Sequence, residues 1–405
     1  MSPINFSSEL SKNTEPNWRL NLLFVSIAQF IAMMGMSSVV PFMPLYVREL
    51  GITDVDSATL WSGLCFAGPY FLYIITVPVW GAMGDRYGRK LMMSRAIYGL
   101  TIAVFLMGFA QNVWQLFALR VFQGGVSGMI AAALAFTSAN TPNEKSGYAI
   151  GILQSSLSAG NIIGPFIGGI ASDLGGTRFV FFGVSTLTFI SGLLVILFVK
   201  EKKLILQTNE HSNFFSNLNY SLKNKDILFL LILVIITQVG ISYTNPIFPY
   251  FLEEKGVPDN ILSTMTGIMI GIVGFMSIFF APYWGKRNDR KDYRKTVFLS
   301  SLIVGISGLL HVFAPNYFYL FPLRFIIGVF FAAIIPTLYA ALNKYAPDSN
   351  KGGIMGMASS ANLMGSLIGF LGCGILSAKL GNDSAFIISG LLLILAAILI
   401  KIKTN

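Results

Sequence analysis

The sequence predicts an all-α membrane protein with 12 transmembrane helices in two pseudo-symmetric six-helix bundles. The first observation is composition: 54% of the 405 residues are hydrophobic and only 11% are charged, which is far below the charged fraction of a soluble domain. The second is a series of apolar runs, each about 20 residues or longer and able to cross a bilayer as a helix. The third is an internal repeat at half the chain length.

The apolar runs follow one another through the whole chain, separated by polar gaps. They cover approximately 20–47, 59–82, 91–110, 113–139, 146–171, 178–199, 226–252, 261–284, 296–314, 317–342, 352–377 and 383–402. Most gaps are short, so neighbouring helices must run antiparallel. The one long internal gap predicts an N-terminal bundle over 1–199, a polar linker over 200–225 and a C-terminal bundle over 226–405. Its FFSNLNYSL stretch fits either a short amphipathic surface helix or a plain tether.

The repeat relates the two halves at an offset of 204 residues. PVWGAMGDR at 78–86 is echoed by PYWGKRNDR at 282–290. Further echoes pair Leu119, Arg120 and Gly124 with Leu323, Arg324 and Gly328, and pair Pro41 and Pro44 with Pro246 and Pro249. Matching halves in a membrane protein indicate transport across the interface between them.

The net charge of +10 is distributed unevenly along the chain. Of the 28 Lys and Arg residues, 22 lie on one side of the predicted membrane, at the termini and in alternate gaps, with the largest groups after the second, sixth and eighth helices. The positive-inside rule therefore predicts that both termini and the linker are cytoplasmic. No basic soluble domain is present to bind nucleic acid, so no nucleic-acid partner is expected. The first apolar run is too long for a signal peptide and is retained as the first helix.

A basic segment, GAMGDRYGRK at 81–90, joins the second and third helices. Glycine permits a tight turn here, and Asp85 can accept hydrogen bonds from a nearby helix N-terminus. The segment resembles the loop signature of the major facilitator superfamily, in which it is a conformational latch that helps to hold the outward-open state. The resemblance assigns this role to Gly81, Asp85, Arg86, Gly88 and Arg89. A plain topology-setting turn would explain the positive charges but not Asp85 or the glycines.

The fifth helix carries glycines at fixed intervals. Gly160, Gly164 and Gly168 are four residues apart, which gives one smooth face for close helix packing, and Pro165 bends the helix. The pattern resembles the antiporter motif of exporters in this superfamily, which here comprises Gly151, Gly160, Gly164, Pro165, Gly168 and Gly169. The alternative is a packing face with no role in transport.

Arg120, Gln123 and Gly124 on the fourth helix resemble the proton-transfer signature of the same family. An arginine inside a membrane is costly and should face the bundle interior with a partner. No Asp or Glu lies deep in any predicted span, so the usual acidic partner is missing. Either coupling uses a boundary carboxylate and the Arg120 hydrogen-bond network, or the transported compound is an anion held by Arg120. A lipophilic cation would find no buried counter-charge.

The substrate-binding candidates follow from helical periodicity, because polar faces of spanning helices should point at the interior or a water-filled cavity. The candidates are Gln29, Met33 and Met36 on the first helix, Gln154, Ser158 and Asn161 on the fifth, and Gln238, Ser242 and Asn245 on the seventh. Methionine suits varied apolar substrates. The alternative for each polar residue is a hydrogen bond between helices with no ligand contact.

No enzymatic activity is expected. The tetrads at 125–128 and 305–308 match the GxSG of intramembrane proteases, but such small-residue tetrads are common in membrane helices. The two histidines are His211 in the linker and His311, which has only local spacing to Ser307. The chain has no phosphate-cradling glycine loop, and no cofactor or metal site is expected.

The resemblance covers the whole chain and identifies a twelve-helix drug:proton antiporter of the bacterial multidrug and tetracycline exporter type. It implies the major facilitator fold, a location in the bacterial inner membrane and a monomer in contact with membrane lipid. It also implies export of a small amphiphilic compound driven by the proton gradient. The alternatives are an uptake carrier for a nutrient or organic anion, and a membrane sensor that no longer transports.

Overall fold

The computed structural model describes residues 17–201, 214–290, 292–347 and 350–403. Twelve long apolar helices run through them, in agreement with the predicted spans to within a few residues at most ends. They are α1 (Trp18–Ser38), α2 (Val55–Tyr87), α3 (Arg89–Met107), α4 (Val113–Asn140), α5 (Ser146–Gly175), α6 (Thr177–Phe198), α7 (Lys225–Glu254), α8 (Leu262–Arg290), α9 (Tyr293–Val312), α10 (Leu320–Tyr345), α11 (Lys351–Leu380) and α12 (Asp383–Ile402). The predicted fold class is confirmed.

Helix ends are fixed by short polar side chains and by glycines at the turns. Asp54 precedes α2 and accepts the Ser57 N–H at 2.9 Å, and Asn112 precedes α4 and accepts the Gln115 N–H at 3.0 Å. Such caps satisfy N–H groups that have no partner within the helix. Gly88, with φ of 101°, allows the sharp turn between α2 and α3 because a side chain there would be strained.

The sequence repeat is also a structural repeat. In each half, a tryptophan indole on the second helix donates a hydrogen bond of 2.8 Å to a carbonyl on the fourth helix. Trp80 does so to Gly125, and Trp284 does so to Val329. Both members of the second pair lie 204 residues after those of the first, so the halves are built on the same helix contacts. Each half also has its own apolar core.

Two breaks in the spanning helices lie at prolines. After α1 the chain turns at 39–42 and becomes helical again over Met43–Glu49. Within α7 a short 3₁₀ turn, Asn245–Ile247, separates the segments on either side. Pro41 and Pro246 cannot donate a backbone hydrogen bond, so neither helix can continue undisturbed.

A third break, in α4, is not predicted from the sequence, which reads as one apolar run. The helix stops at Val126 and restarts at Met129, with Gly128 at a φ of 127°. Arg95 of α3 donates to the freed carbonyls of Val126 and Ser127 at 3.2 and 3.1 Å. Its guanidinium also lies 3.6 Å from the centre of the Trp80 ring. The break is therefore stabilised by a neighbouring helix.

Large apolar side chains cover the outside of the bundle. Ile75, Trp114 and Phe279 are each more than 60% exposed, which suits contact with lipid chains rather than water. The protein is therefore an integral membrane protein. Of the two alternatives for the linker, the structure contains the helix, Phe214–Lys223, and Tyr220 packs against the core of the second half. Residues 202–213 of the linker lie outside the described residues.

Candidate functional site

The two halves meet tightly at one end of the molecule, which we call the closed end. A Cβ added to Gly63 of α2 would lie 2.6 Å from the Cα of Gly374 in α11, so the two backbones are in direct contact. Arg48 of the first half donates to the carboxylate of Glu253 in the second at 2.6 Å. Asp173 at the end of α5 accepts two backbone N–H groups at the start of α8, at 3.2 and 2.7 Å. Packing and polar contacts both join the halves here.

At the opposite end, which we call the open end, the halves separate. Along α5 and α8, glycine contacts run from Gly169 against Ser263, through Gly267 against Pro165, to Gly274 against Ile162. Beyond this point Ser158 and Gln154 of α5 are exposed. No described atom beyond their own helix lies within 4 Å of a Cβ position at Gly352 or Gly356 of α11. The open end also carries the basic segment 81–90.

A cavity of about 380 Å³ lies in the first half where it faces the second. Its lining includes Met33, Met36, Tyr70, Arg120, Asn245 and Phe370. The walls are mostly apolar and aromatic, and Arg120 is the charged side chain among them. The cavity therefore suits a compound with a large apolar body and a polar group.

Arg120 lies in this cavity wall with few partners. It is 8% exposed, and its Nη1 donates to the Gln123 side chain at 3.0 Å. Its Nε has no hydrogen-bond partner, and no carboxylate of the described chain forms an ion pair with it. Gly124 presses against the Pro69 backbone, which brings α4 close to α2 at this level. The three residues of the proton-transfer signature thus share one site.

A second cavity, of about 260 Å³, lies in the second half and extends to α5. Asn245, at the break in α7, lines both cavities. Arg324 of α10 and His311 of α9 also line the second cavity, and Asn161 contributes from the first half. This cavity therefore spans the interface, and like the first it contains a membrane-embedded arginine.

The substrate-binding candidates divide into two groups. Met33, Met36, Asn161 and Asn245 line the cavities, and Ser158 and Gln154 continue the same face of α5 toward the open end. Gln29 does not line either cavity: it is 1% exposed, and neither polar atom of its side-chain amide has a hydrogen-bond partner in the part of the chain that the structure describes. Helical spacing places Gln29 one turn from Met33, on the same face of α1. The spacing does not indicate which residues of other helices cover the Gln29 side chain.

Gln238 and Ser242, the other two predicted substrate-binding residues of α7, form hydrogen bonds with a neighbouring helix and do not line either of the two cavities described above. The Gln238 amide donates to Ser242 at 3.0 Å and to Ser366 of α11 at 2.9 Å. Its oxygen accepts from Asn362 at 3.1 Å. These contacts favour the alternative of hydrogen bonds between helices for these two residues. Both lie on the predicted interior face, but α11 occupies the space beside it.

The glycines of the fifth helix pack against α1. Gly160 faces the Phe30 carbonyl, Gly164 faces Ser37, and Gly168 faces the backbone of Ser38. The Ser37 hydroxyl also donates to the Gly160 carbonyl at 3.0 Å. Gly169 lies on another side of the helix, against the start of α8, and Pro165 is buried beside it. α5 therefore connects the first half to the second.

Gly151, the first glycine of the same motif, has no such contact. No described atom outside its own helix turn lies within 4 Å of its Cβ position, and it is exposed near the open end. Close packing thus explains the later glycines of the motif but not this one.

The basic segment 81–90 is held by Glu201, which lies three residues after the end of α6. Glu201 accepts the backbone N–H groups of Arg89 and Lys90 at 2.8 and 3.0 Å, at the N-terminus of α3, where an anion is favourable. Arg89 also donates to the Ala135 carbonyl of α4 at 2.8 Å. Gly81 is exposed, and no described atom outside its own helix turn lies within 4 Å of its Cβ position. Arg86 lies over the Tyr87 ring, and the side chain of Asp85 lies outside the described residues.

Sequence reasoning missed several lining residues. Phe66, Tyr70 and Tyr73 of α2 line the first cavity, and their spacing of i, i+4, i+7 is the spacing that selected the other helices. Glu201, in contrast, gave no local signal, because its partners lie more than 100 residues away in the chain.

Two similar halves of six spanning helices around central cavities form the architecture of a secondary transporter. Residues 25–277 and 230–404 each match the Major Facilitator Superfamily, and the chain belongs to this superfamily. It is similar to Multidrug resistance protein MdtG of Proteus mirabilis, with 34% identity over 378 residues that cover 91% of this chain and 92% of that protein. It is also similar to MdtG of Salmonella typhimurium, with 32% identity over 375 residues, 92% of each protein.

Solved structures show the same fold. The nucleoside transporter NupG has a TM-score of 0.76 and 13% identity, covering 96% of this chain and 99% of that one. A bacterial homologue of the human lysosomal transporter Spinster, in an inward-facing and occupied conformation, has a TM-score of 0.78 and 13% identity, covering 100% and 98%. These identities establish a shared fold and not a shared substrate.

Proposed function

We propose that this protein exports small amphiphilic compounds in exchange for protons by alternating access. The observation that carries the proposal is a pair of cavities at the interface of two similar halves that are in contact at one end and apart at the other. A carrier that rocks one half against the other would expose such a site to each side in turn. The relatives named as multidrug resistance proteins favour export of drug-like compounds.

The orientation follows from the basic gaps. With both termini and the linker in the cytoplasm, the open end is cytoplasmic and the structure represents an inward-open state. The moving bodies are the bundles 1–199 and 226–405, joined by the linker 200–225, in a monomer surrounded by bacterial inner-membrane lipid. The outward-open state requires the contacts of the closed end, including Arg48 with Glu253, to separate.

The motif residues have distinct proposed roles. Arg120, with Gln123 and Gly124, forms the charge relay beside the first cavity. The α5 glycines from Gly160 onward form a packed hinge between α1 and α8. The segment 81–90 forms the latch in the outward-open state.

Export can be tested in a bacterial host whose own drug pumps are deleted. Cells that express the protein should survive higher doses of at least one compound in a panel of cations, anions and neutral amphiphiles, and should accumulate less of it. A protonophore should remove the difference in accumulation. Increased accumulation would instead indicate an uptake carrier, and no change for any compound would indicate a sensor.

A further inference from the structure

The second cavity contains two basic groups that have no acidic partner among the described residues: Arg324, which is partly buried, and His311, which is buried. Arg324 forms no ion pair with a carboxylate of the described chain, and its Nε has no hydrogen-bond partner. Its guanidinium lies 3.8 Å from the centre of the Phe248 ring, which offsets only part of the cost of burying the charge. A partly buried guanidinium without a carboxylate partner is suited to bind an anion.

His311 faces the same cavity and is fully buried. Its Nδ1 lies 2.7 Å from the Ser307 carbonyl oxygen, and a carbonyl can only accept, so Nδ1 carries the hydrogen. The Nε2 atom then has no partner in the described chain. Phe386 stacks on the ring at 5.1 Å and fixes its orientation. His311 can accept a hydrogen bond from an O–H of a ligand, or donate one to an anion when protonated.

The side chains that line the two cavities indicate the charge and the shape of the ligand that would fit. The other charged side chain of the two cavities is Arg120, also a cation, and the cavity walls contain no carboxylate among the described residues. Asn161, Asn245, Thr244 and Ser389 add neutral polar groups around the second cavity. The remaining lining is apolar or aromatic. A ligand with one oxyanion group and an apolar body matches this arrangement.

We propose that Arg324 and His311 form an anion-binding subsite for the transported compound, which is therefore an amphiphilic oxyacid. The planar guanidinium binds two oxygens of the acid group at once, while protonated His311 donates from Nε2 to one of the same oxygens. The apolar body of the ligand extends past Asn245 toward the first cavity. This subsite deepens the proposed export function and rests on it.

The test compares three tritium-labelled probes with the same ring system: the anion naphthoate, its neutral isostere naphthamide, and the cation naphthylmethylammonium. Binding to purified protein in detergent is measured by scintillation proximity. Wild-type protein should bind naphthoate more tightly than the other two. Arg324→Met should weaken naphthoate binding about 10- to 100-fold, the range expected for loss of a charge-assisted hydrogen bond, and should leave naphthamide binding unchanged. Arg19→Met, the same change at an exposed arginine outside the cavities, should alter neither.

His311→Asn is the second variant. Its amide N–H can still donate to the Ser307 carbonyl, but the Nε2 position is removed, so naphthoate binding should fall several-fold and naphthamide binding should not. If Arg324→Met does not give a monodisperse protein, Arg324→Gln carries the same expectation. Unchanged naphthoate affinity in the Arg324 variant, or equal losses for naphthoate and naphthamide, would overturn the subsite.

The subsite and the proposed function fail in different ways. Selective naphthoate binding that depends on Arg324, in a protein that confers no export of any compound, would support the subsite and refute the exporter. If the protein exports amphiphiles but its naphthoate affinity does not depend on Arg324, the subsite is refuted and the proposed export function stands.

Discussion

Gly160 and Gly151 belong to the same glycine motif on α5, yet the structure gives them opposite surroundings, and this contrast yields a quantitative prediction. A Cβ at Gly160 would lie 2.6 Å from the Phe30 carbonyl oxygen and 2.9 Å from the Met34 nitrogen. Both atoms belong to the α1 backbone and cannot rotate away, so Gly160→Ala must push α1 and α5 apart. A Cβ at Gly151 meets no described atom within 4 Å.

Two effects contribute to the stability of the alanine variants: one is the same at both sites, and the other acts only at Gly160. Replacing glycine by alanine inside a helix stabilises it by about 1 kcal/mol at either site. Overpacking at Gly160 should cost about 1–3 kcal/mol. The difference between the variants cancels the shared contribution, so Gly160→Ala should be about 1–3 kcal/mol less stable than Gly151→Ala. For a half of this size, that is a difference of about 2 to 12 °C in Tm.

Tm can be followed by tryptophan fluorescence of the purified variants in one detergent, with transport measured in parallel. Gly160→Ala should unfold at the lower temperature and transport slowly, while Gly151→Ala should match or exceed wild-type stability. Equal Tm values for the two variants would refute the packing of α5 on α1 as described.

Three further predictions concern charged residues. Arg120→Met should abolish transport while Tm stays near that of wild type, because Gln123 is the one described side chain that hydrogen-bonds to Arg120; wild-type flux would exclude Arg120 from the mechanism. Arg48→Glu should weaken the contact between the halves at the closed end and so raise the reactivity of cysteines placed there. The added change Glu253→Arg should restore the ion pair and lower that reactivity again. If the double variant does not reverse the effect of the single variant, the ion pair is not the gate. Because both side chains are about one-third exposed, the loss in stability should be no more than about 1 kcal/mol. Glu201→Ala removes a helix cap and should lower stability by about 0.5–2 kcal/mol, measured as a lower Tm, whereas Glu201→Gln should lose less; no change in either would show that the cap is not needed.

The sequence was sufficient for those features that depend on length, local chemistry or repetition. The twelve spans follow from apolar length, and the breaks after α1 and within α7 follow from Pro41 and Pro246, which cannot donate backbone hydrogen bonds. The packing of Gly160, Gly164 and Gly168 follows from their spacing. These properties are local and leave few alternatives once the chain is in a membrane.

Features that depend on a distant partner could not be predicted in this way. The break in α4 lies in an uninterrupted apolar run, and its freed carbonyls are satisfied by Arg95 from α3. Gln238 has the spacing of a cavity residue, but Ser366 and Asn362, which hydrogen-bond to it, lie on α11. In a membrane helix the face toward lipid is apolar as well. The periodicity of polar residues therefore identifies the inward face of a helix, but it does not show whether that face meets a cavity or another helix.

The proposed exchange of protons for amphiphilic compounds is tested most directly in everted membrane vesicles that hold a preformed proton gradient. Adding a compound to which the protein confers resistance should dissipate the gradient in vesicles with the wild-type protein, in proportion to the compound transported. Vesicles with the Arg120→Met variant should keep their gradient. A gradient in wild-type vesicles that is unaffected by every such compound would contradict the proposed antiport.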